Sequence, residues 1–170
     1  MDHLWSPWRA QYVSNVQAAS AEKECLFCRL ARADGQESDE SRHILYRGRD
    51  NLVVLNRFPY TSGHLLIAPY AHLALLSEAD RNSTDELMEL AKVAQQSLGI
   101  EYRPDGYNLG MNLGRAAGAG VDSHFHLHVL PRWNGDTNFM SAVGGTRVMP
   151  EELDETFRKL RKHFSRKDEG

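Results

Sequence analysis

Three histidines stand at every second position of one short segment, as His124, His126 and His128, with Phe125 and Leu127 between them. Side chains of a β-strand alternate between its two faces, so this spacing predicts a strand with one imidazole face and one apolar face. Imidazoles can titrate near neutral pH, ligate a metal or attack an electrophile. Because the 170 residues contain only eight histidines, we predict that this segment holds the active site.

The elements that must position these histidines are predicted from apolar runs bounded by turn residues. Strands are predicted over residues 44–47, 52–55, 64–69, 106–112 and 124–130. Strands that follow one another along the chain, with one helix between two groups of them, are typical of an α+β fold with an antiparallel sheet.

Helical spacing of apolar residues predicts the helix between these two groups of strands, over residues 83–98. Ser83 or Thr84 could cap it. Glu86, three residues after Ser83, would then complete a capping box. Gly99 would end the helix.

Composition and patterning predict one globular domain with three regions. These are an N-terminal arm over residues 1–24, a catalytic domain over residues 25–145, and a C-terminal region over residues 146–170 whose amphipathic helix, at 150–163, packs on the same domain. Hydrophobic residues make up 41% and charged residues 25% of the chain, as in a soluble protein. The net charge of -3 gives no overall basic field, and no apolar run approaches a membrane span. We therefore expect a cytoplasmic protein with no nucleic-acid partner and no membrane partner.

Both cysteines of the chain lie in one CxxC motif, as Cys25 and Cys28. Structural Zn²⁺ takes four sulfur or nitrogen ligands, so the motif could supply half of a tetrahedral site. Two inert cysteines near a turn, or a redox pair, are the other interpretations. A redox pair normally follows a strand and opens a helix, whereas this one follows a polar stretch.

A glycine-rich loop leads directly to the three histidines. Residues 110–123 contain four glycines, which let a ligand approach the backbone closely. Consecutive N–H groups in such a turn can form an anion-binding concavity. The spacing matches neither the P-loop nor the dinucleotide-binding fingerprint, so a flexible hairpin connection is an equally good interpretation.

The alternating histidines and the apolar residues after them resemble the signature of the histidine triad family, His-x-His-x-His followed by apolar positions. Residues 55–57, 63–69 and 118–120 are similar in type and order to nucleotide-binding segments of that family. Residues 4–9 and 135–140 resemble a bacterial branch described as diadenosine tetraphosphate phosphorylase-like or hydrolase-like. The resemblance implies a five-stranded antiparallel sheet with two main helices, usually in a homodimer. It also implies an enzyme that acts on nucleoside 5′-phosphate derivatives through a covalent histidine–nucleotide intermediate.

The resemblance implies catalytic roles for three histidines. His126 matches the family nucleophile, which would attack the α-phosphorus of an AMP-containing nucleotide and split one hard displacement into two easier ones. His128 matches a phosphate-binding position, where it could stabilise developing charge or help the leaving group depart. His64 matches a fourth histidine that could orient or polarise the site. A histidine whose hydrogen bonds are simply satisfied at a strand start is the alternative for His64.

The nucleotide-binding residues are also carried over from the family. Asn112 matches an amide that contacts phosphate and Asn56 a position that binds ribose, although both could simply serve turns. Gly118 and Gly120 belong to the glycine-rich loop, and several relatives carry glutamine where this chain has Gly120. Ser123 could bond a bridging oxygen or cap a turn. These departures leave the second acceptor open between water, for hydrolysis, and inorganic phosphate, for phosphorolysis.

Zinc-bearing relatives join a CxxC pair to a histidine of a Pro-x-x-His strand end and to the first triad histidine. In this chain the four residues are Cys25, Cys28, His72 and His124. The resemblance therefore implies a closed, structural zinc site that ties the N-terminal segment to the catalytic strand, and no organic cofactor. A merely exposed His72 is the alternative.

Three classes of function are compatible with these residues. The first is a nucleotidyl hydrolase or transferase that uses His126 covalently. The second is a metal-dependent hydrolase in which two or three triad histidines ligate catalytic Zn²⁺. The third is a nucleotide-binding protein without turnover.

Overall fold

The described fold is built on one antiparallel sheet. The computed structural model describes residues 24–32, 38–136 and 151–164. The strands are β1 (Ile44–Arg47), β2 (Asn51–Leu55), β3 (Leu65–Pro69), β4 (Gly106–Gly110) and β5 (Leu127–Arg132). The α-helices are α1 (Leu26–Ala31), α2 (Arg81–Tyr102) and α3 (Leu153–Arg161). The strands pair in the order β1-β2-β3-β5-β4, and each pair is antiparallel, which confirms the predicted α+β fold and its sheet.

Two apolar clusters lie on opposite faces of this sheet. The first apolar cluster packs α2 and α3 against the sheet and includes Phe125, Leu127 and Val129 of the histidine segment. The second apolar cluster consists of Phe27 of α1 with Ile44, Leu52, Val54, Leu66 and Ala68. Consecutive residues of β2 alternate between the two clusters, as the period of a strand requires. For this reason β2 and β3 are buried along their whole length.

Helix α2 extends beyond the predicted range at both ends. It begins at Arg81, and Asp80 caps it by accepting the N–H of Ser83 at 2.8 Å. The carboxylate satisfies one of the N–H groups that the first turn of a helix leaves without an intrahelical acceptor. The predicted cap at Ser83 or Thr84 is therefore wrong, since both residues lie inside the first turn.

Glu86 bonds to the β1–β2 turn and takes no part in a capping box with Ser83. Its carboxylate accepts the N–H groups of Arg49 and Asp50 at 2.7 Å and the side-chain amide of Asn51 at 2.9 Å. Burial alone would raise the pKa of Glu86, but these hydrogen bonds outweigh it and lower the pKa below its usual value. Glu86 thus anchors the β1–β2 hairpin to α2.

Gly99 does not end α2 either. The helix continues to Tyr102, and Arg103 closes it with a φ of 46° and an N–H that donates to the carbonyl of Gly99. A Cβ at position 99 would lie 2.9 Å from the hydroxyl oxygen of Tyr107. The glycine therefore serves the close approach of α2 to β4.

The two ends of the chain are described only in part. Of the predicted arm over residues 1–24, only Glu24 lies within the described residues. Within the predicted range 150–163, α3 packs on the sheet because Phe157, Leu160 and the following Phe164 enter the first apolar cluster. Among the described helices, none is long and apolar enough to cross a membrane.

Candidate functional site

The three triad histidines lie on one side of their segment, as the spacing predicted. Their exposed fractions are 0% for His124, 5% for His126 and 8% for His128, while Phe125 and Leu127 point into the first apolar cluster. The rings of His126 and His128 are neighbours, with centroids 4.9 Å apart. Strand β5 begins only at Leu127, later than predicted, so the first two histidines directly precede it.

His64 is joined to His128 by a short chain of hydrogen bonds. The backbone N–H of Tyr60 donates to Nδ1 of His64 at 3.1 Å, so this nitrogen carries no proton. Neutral His64 therefore has its proton on Nε2, which donates to Nδ1 of His128 at 2.9 Å. Neutral His128 must in turn carry its own proton on Nε2. The chain fixes the tautomer of both rings.

The proton on Nε2 of His128 faces the site. This nitrogen is buried and has no hydrogen-bond partner within the described part of the chain. Burial, helped by the neighbouring His126, lowers the pKa of His128 to about 4, so the ring is neutral at neutral pH. A buried N–H without an acceptor costs about 1–3 kcal/mol, which a ligand oxygen at this point would recover. His128 is therefore placed to donate a hydrogen bond to an oxygen of a bound ligand.

His126 has the opposite arrangement. Its Nδ1–H donates to the carbonyl of His124 at 3.0 Å, which leaves Nε2 with a lone pair. Burial lowers the pKa of His126, although the bond to the carbonyl opposes that change. The ring is neutral at neutral pH, and its unprotonated nitrogen is the one that is not tied to the backbone. A neutral imidazole with a free Nε2 is a competent nucleophile.

Position 63 must be glycine for His64 to stand where it does. Gly63 has a φ of 77°, in the left-handed region, and a Cβ there would lie 2.7 Å from a methyl carbon of Leu98. Both the conformation and the space exclude other residues. The chain leaves this tight turn directly into His64 and β3.

The amide of Asn56 is used within the protein. Its Oδ1 accepts the N–H of Phe58 at 3.0 Å, and its Nδ2 lies 3.2 Å from Nδ1 of His64. Asn56 thus shapes the turn before His64 while its side chain lies against the ring of His64. Asn112 is half-buried and follows β4, where Gly110 is paired with His128. Continuing that register would bring Asn112 opposite His126.

The glycine-rich loop is closed by an ion pair. Nε of Arg115 and Oδ2 of Asp122, seven residues apart within the loop, lie 2.5 Å from each other. Between them, Gly118 has a φ of 86° and Gly120 is half-buried. Ser123 is exposed. These residues lead directly into His124, and among the described hydrogen bonds none joins their side chains to the triad histidines.

The four residues expected to bind metal meet in one place, here named the Cys–His cluster. Their candidate ligand atoms, in Cys25, Cys28, His72 and His124, all lie within 4.8 Å of one another. Sγ of Cys28 is 3.1 Å from Nδ1 of His72, and Sγ of Cys25 is 3.4 Å from Nδ1 of His124. Tetrahedral ligands around Zn²⁺ lie about 3.3–3.8 Å from one another. The cluster can therefore hold a metal ion.

The chemistry of the donors also fits a metal. Nε2–H of His124 donates to the carbonyl of Pro69 at 2.9 Å, so its lone pair on Nδ1 faces the two sulfurs. Burial, and then the proximity of Cys25, raises the pKa of the Cys28 thiol. A cation between the sulfurs would reverse that shift, because a metal-bound thiol is deprotonated. With four protein ligands the site would be closed and structural.

Two aromatic residues beside the triad had no signal in the sequence analysis. Tyr60 stacks on His128 with centroids 6.0 Å apart and planes 15° apart. Phe27 lies against both His124 and His126. The available signal was the position of Phe27 between Cys25 and Cys28, because a residue between two expected metal ligands must lie near the site that they form.

Comparisons with known proteins agree with this geometry. Residues 37–135 match the HIT domain family. An AP-4-A phosphorylase of Mycobacterium tuberculosis is 34% identical over 171 residues, an alignment that covers 98% of this chain and 86% of that protein. The adenosine 5′-monophosphoramidase hnt1 of Schizosaccharomyces pombe is 28% identical over 129 residues, covering 76% of this chain and 90% of that protein.

A solved structure has the same fold. The Zn-bound histidine triad family protein from Mycobacterium smegmatis superposes with a TM-score of 0.65 and 28% identity, over 82% of this chain and 92% of that one. Its bound Zn is a property of that protein. The fold of this chain is therefore the HIT-like fold that the triad spacing led us to expect.

Proposed function

The chain belongs to the histidine triad family, and we propose that it is a nucleotidyl-transferring enzyme that cleaves dinucleoside polyphosphates such as diadenosine tetraphosphate by phosphorolysis. The observation that carries the proposal is the pair of fixed tautomers, with a lone pair on Nε2 of His126 beside a proton on Nε2 of His128. The near full-length similarity to an AP-4-A phosphorylase supports this choice of substrate and acceptor.

In the first step, Nε2 of His126 attacks the α-phosphorus and the bond to the bridging oxygen breaks. Nε2–H of His128 donates a hydrogen bond to the departing oxygen and stabilises its developing negative charge, so ATP leaves as an anion. The AMP group stays on His126 as a phosphorus–nitrogen bond. The positive charge that this ring acquires is stabilised by its Nδ1–H bond to the carbonyl of His124.

In the second step, an oxygen of inorganic phosphate attacks the same phosphorus and the phosphorus–nitrogen bond breaks. The product is ADP, in which the attacking phosphate keeps any proton that it carried. His64 acts by keeping Nδ1 of His128 hydrogen-bonded, so that the N–H that donates to the substrate stays on Nε2 of His128. Water in place of phosphate would give AMP.

The nucleotide would be held by the residues around this pair. We assign Asn112 to a phosphate, Asn56 to the ribose, and the N–H groups of Gly118 and Gly120 to the polyphosphate chain. Ser123 is assigned to a bridging oxygen. The amide of Asn56 already bonds within its turn, so its ribose contact would use the remaining lone pair of Oδ1.

We propose that the metal of the Cys–His cluster is zinc and that it is structural. Two thiols and two imidazoles are the donors that Zn²⁺ prefers, and such a complete set leaves no open position for substrate. Bound there, the ion would hold α1 and the residue after β3 to the start of the triad. The free thiols require a reducing compartment, which supports a cytoplasmic location.

The two alternative functions are less well supported. Among the described residues, the cluster of ligand atoms includes only His124 from the triad, which disfavours a catalytic metal held by two or three triad histidines. A binding protein without turnover has no use for the unprotonated Nε2 that the backbone fixes on His126. We therefore retain the covalent mechanism.

A homodimer is supported by the exposed edge of the sheet. Strand β4 lies at the end of the strand order, and its Leu109 is 43% exposed. On the neighbouring end of α2, Ile100 is 63% exposed. An apolar edge strand is a ready site for pairing with a second copy. We expect a dimer by light scattering, and a monomer for Leu109→Lys if β4 forms the interface.

The deciding experiment is a product assay with diadenosine tetraphosphate, with and without inorganic phosphate. We expect ADP and ATP only when phosphate is present. AMP and ATP without phosphate would identify a hydrolase and reject phosphorolysis. Absence of either pair of products, over a range of dinucleoside polyphosphates, would reject the substrate class.

A further inference from the structure

Phe27 lies against the reacting imidazole although it comes from a distant part of the sequence. Its ring centroid is 4.7 Å from that of His126 and 5.1 Å from that of His124, with tilts of 36° and 47°. Phe27 is only 1% exposed, because the second apolar cluster and the two imidazoles enclose it. It therefore contacts the nucleophile while offering almost no surface to a substrate.

The ring of His126 depends on such a contact for its direction. One hydrogen bond, from Nδ1 to the carbonyl of His124, holds one edge of the ring. A single hydrogen bond has a broad angular range, and the second torsion of a histidine side chain is soft. The ring of His128, tilted by 58°, borders it on the side of the site. Phe27 supplies a packed apolar surface that limits the tilt of the ring.

The helix that carries Phe27 cannot hold itself in place. Helix α1 has six residues, and Cys25 at its N-terminal end makes no side-chain cap. Helices this short are unstable alone. Arg47 holds the C-terminal end by donating to the carbonyls of Leu30 at 2.9 Å and Ala31 at 3.0 Å. The Cys–His cluster holds the other end.

We propose that Phe27 is a positioning residue for His126, and that α1 makes the aim of the nucleophile depend on metal in the Cys–His cluster. The naming of His126 as nucleophile rests on the proposed function. Cys25 and Cys28 flank Phe27 within one helical turn, so an ion that draws both sulfurs together fixes the turn that bears the ring. Without the ion, α1 is held by Arg47 and by its packing in the second apolar cluster, which lets the ring of Phe27 shift relative to His126.

The kinetic test compares Phe27→Ala and Phe27→Leu with Leu52→Ala in the zinc-loaded protein. Leu52 is fully buried in the same apolar cluster, and its ring-free side chain makes no stacking contact with the triad. Misplacing a reacting atom by about 1 Å can cost about 10²-fold in rate. We expect that loss in the single-turnover rate of His126 nucleotidylation for Phe27→Ala, a smaller loss for Phe27→Leu, and a KM unchanged within about two-fold. Leu52→Ala should keep the wild-type rate.

The spectroscopic test needs no substrate. In ¹⁵N-imidazole NMR spectra of the zinc-loaded protein, we expect His126 as one tautomer with a slowly exchanging Nδ1 proton. Phe27→Ala should show faster exchange of this proton and a second tautomer. Removal of zinc from the wild-type protein should give the same change, and removal from Phe27→Ala should add nothing further.

Several outcomes would overturn the inference. An unchanged rate and spectrum in both Phe27 variants, or an equal loss in Leu52→Ala, would reject the positioning role. A loss confined to KM would mean that Phe27 binds substrate. A further spectral change when zinc leaves Phe27→Ala would show that the cluster acts through the backbone of His124 instead of α1. A wild-type protein that is never nucleotidylated on His126 would reject the proposed function, while the NMR comparison would still decide the role of Phe27.

Discussion

The Cys–His cluster and the proposed nucleophile His126 use histidines of one segment in opposite ways. His124 donates from Nε2 to the carbonyl of Pro69, so its Nδ1 lone pair faces two sulfurs. His126 donates from Nδ1 to the carbonyl of His124, so its lone pair is on Nε2. Burial lowers the pKa of both rings and keeps them neutral. The difference shows that the backbone acceptor on one nitrogen decides what the other nitrogen can do.

The largest expected effect is the loss of turnover when His126 is replaced. His126→Ala should lower turnover by at least about 10⁴-fold, because no other neutral lone pair replaces Nε2. Nucleotide binding and the melting temperature should change little. Mass spectrometry of wild-type protein quenched during turnover should show a nucleotidylated peptide over residues 124–132.

His43→Ala is the matched control for the loss of an imidazole. Nε2 of His43 lies 2.7 Å from Oδ1 of Asp154, on the side of the sheet that faces α3. Replacing His43 should therefore leave turnover unchanged. Turnover retained in His126→Ala, or a peptide that stays unmodified in the wild-type protein, would reject the covalent role.

The second largest expected effect is the loss of stability when metal is removed from the Cys–His cluster. Chelation of zinc should destabilise the folded state by about 4 kcal/mol, since an ion bound at 1,000-fold excess over its Kd contributes that much. For a domain of this size the melting temperature would fall by about 10 °C. The nucleotidylated peptide should still form at low temperature. If the peptide is lost completely on chelation and returns when zinc is added, the metal takes part in the reaction and the purely structural role is rejected.

The hydrogen-bond donor can be tested by comparing two variants of His128. His128→Ala should slow the cleavage of dinucleoside polyphosphates by about 10²–10³-fold, because the loss of one donor to a developing oxyanion costs that much. His128→Asn keeps a side-chain N–H donor and should lose less. Equal losses in the two variants would contradict the assignment of His128 as a hydrogen-bond donor.

The smallest effect is on stability at acid pH. The pKa of His128 is about 4 in the folded protein and has the ordinary histidine value of 6.5 in the unfolded chain, so below pH 6.5 the unfolded chain binds a proton that the folded protein does not. The stability contributed by the neutral ring is complete above pH 6.5 and is lost as the pH falls towards 4. The loss amounts to about 3 kcal/mol. Urea denaturation at pH 7 and pH 4.5 should show a steeper decline for the wild-type protein than for His128→Asn.

The triad and the two cysteines of the Cys–His cluster were predictable because they depend on local spacing. Alternation alone placed His124, His126 and His128 on one face, and the CxxC motif pointed to Cys25 and Cys28. The resemblance to known relatives then supplied the distant partner His72. The tautomers were beyond the sequence, because they depend on carbonyls that only the folded chain brings to each ring.

The elements that were missed depend on contacts between distant residues. Helix α1 has too few residues for a periodic signal, and Arg47, sixteen residues after Ala31, holds its end. The cap of α2 was misplaced because the sequence offers several polar residues near its start. Folding uses Asp80 for the cap and leaves Glu86 to bind the β1–β2 turn, a choice set by the sheet.

Gly63 shows how a position remote from any reactant can be as constrained as the nucleophile. Its backbone conformation and the methyl group of Leu98 both exclude a side chain. Saturation mutagenesis scored by nucleotide-cleaving activity should therefore rank Gly63 beside His126. Protein abundance should fall for substitutions of Gly63 and stay unchanged for substitutions of His126. A map of the substitutions that this chain tolerates therefore needs a measurement of protein abundance before it is used to delimit the catalytic centre.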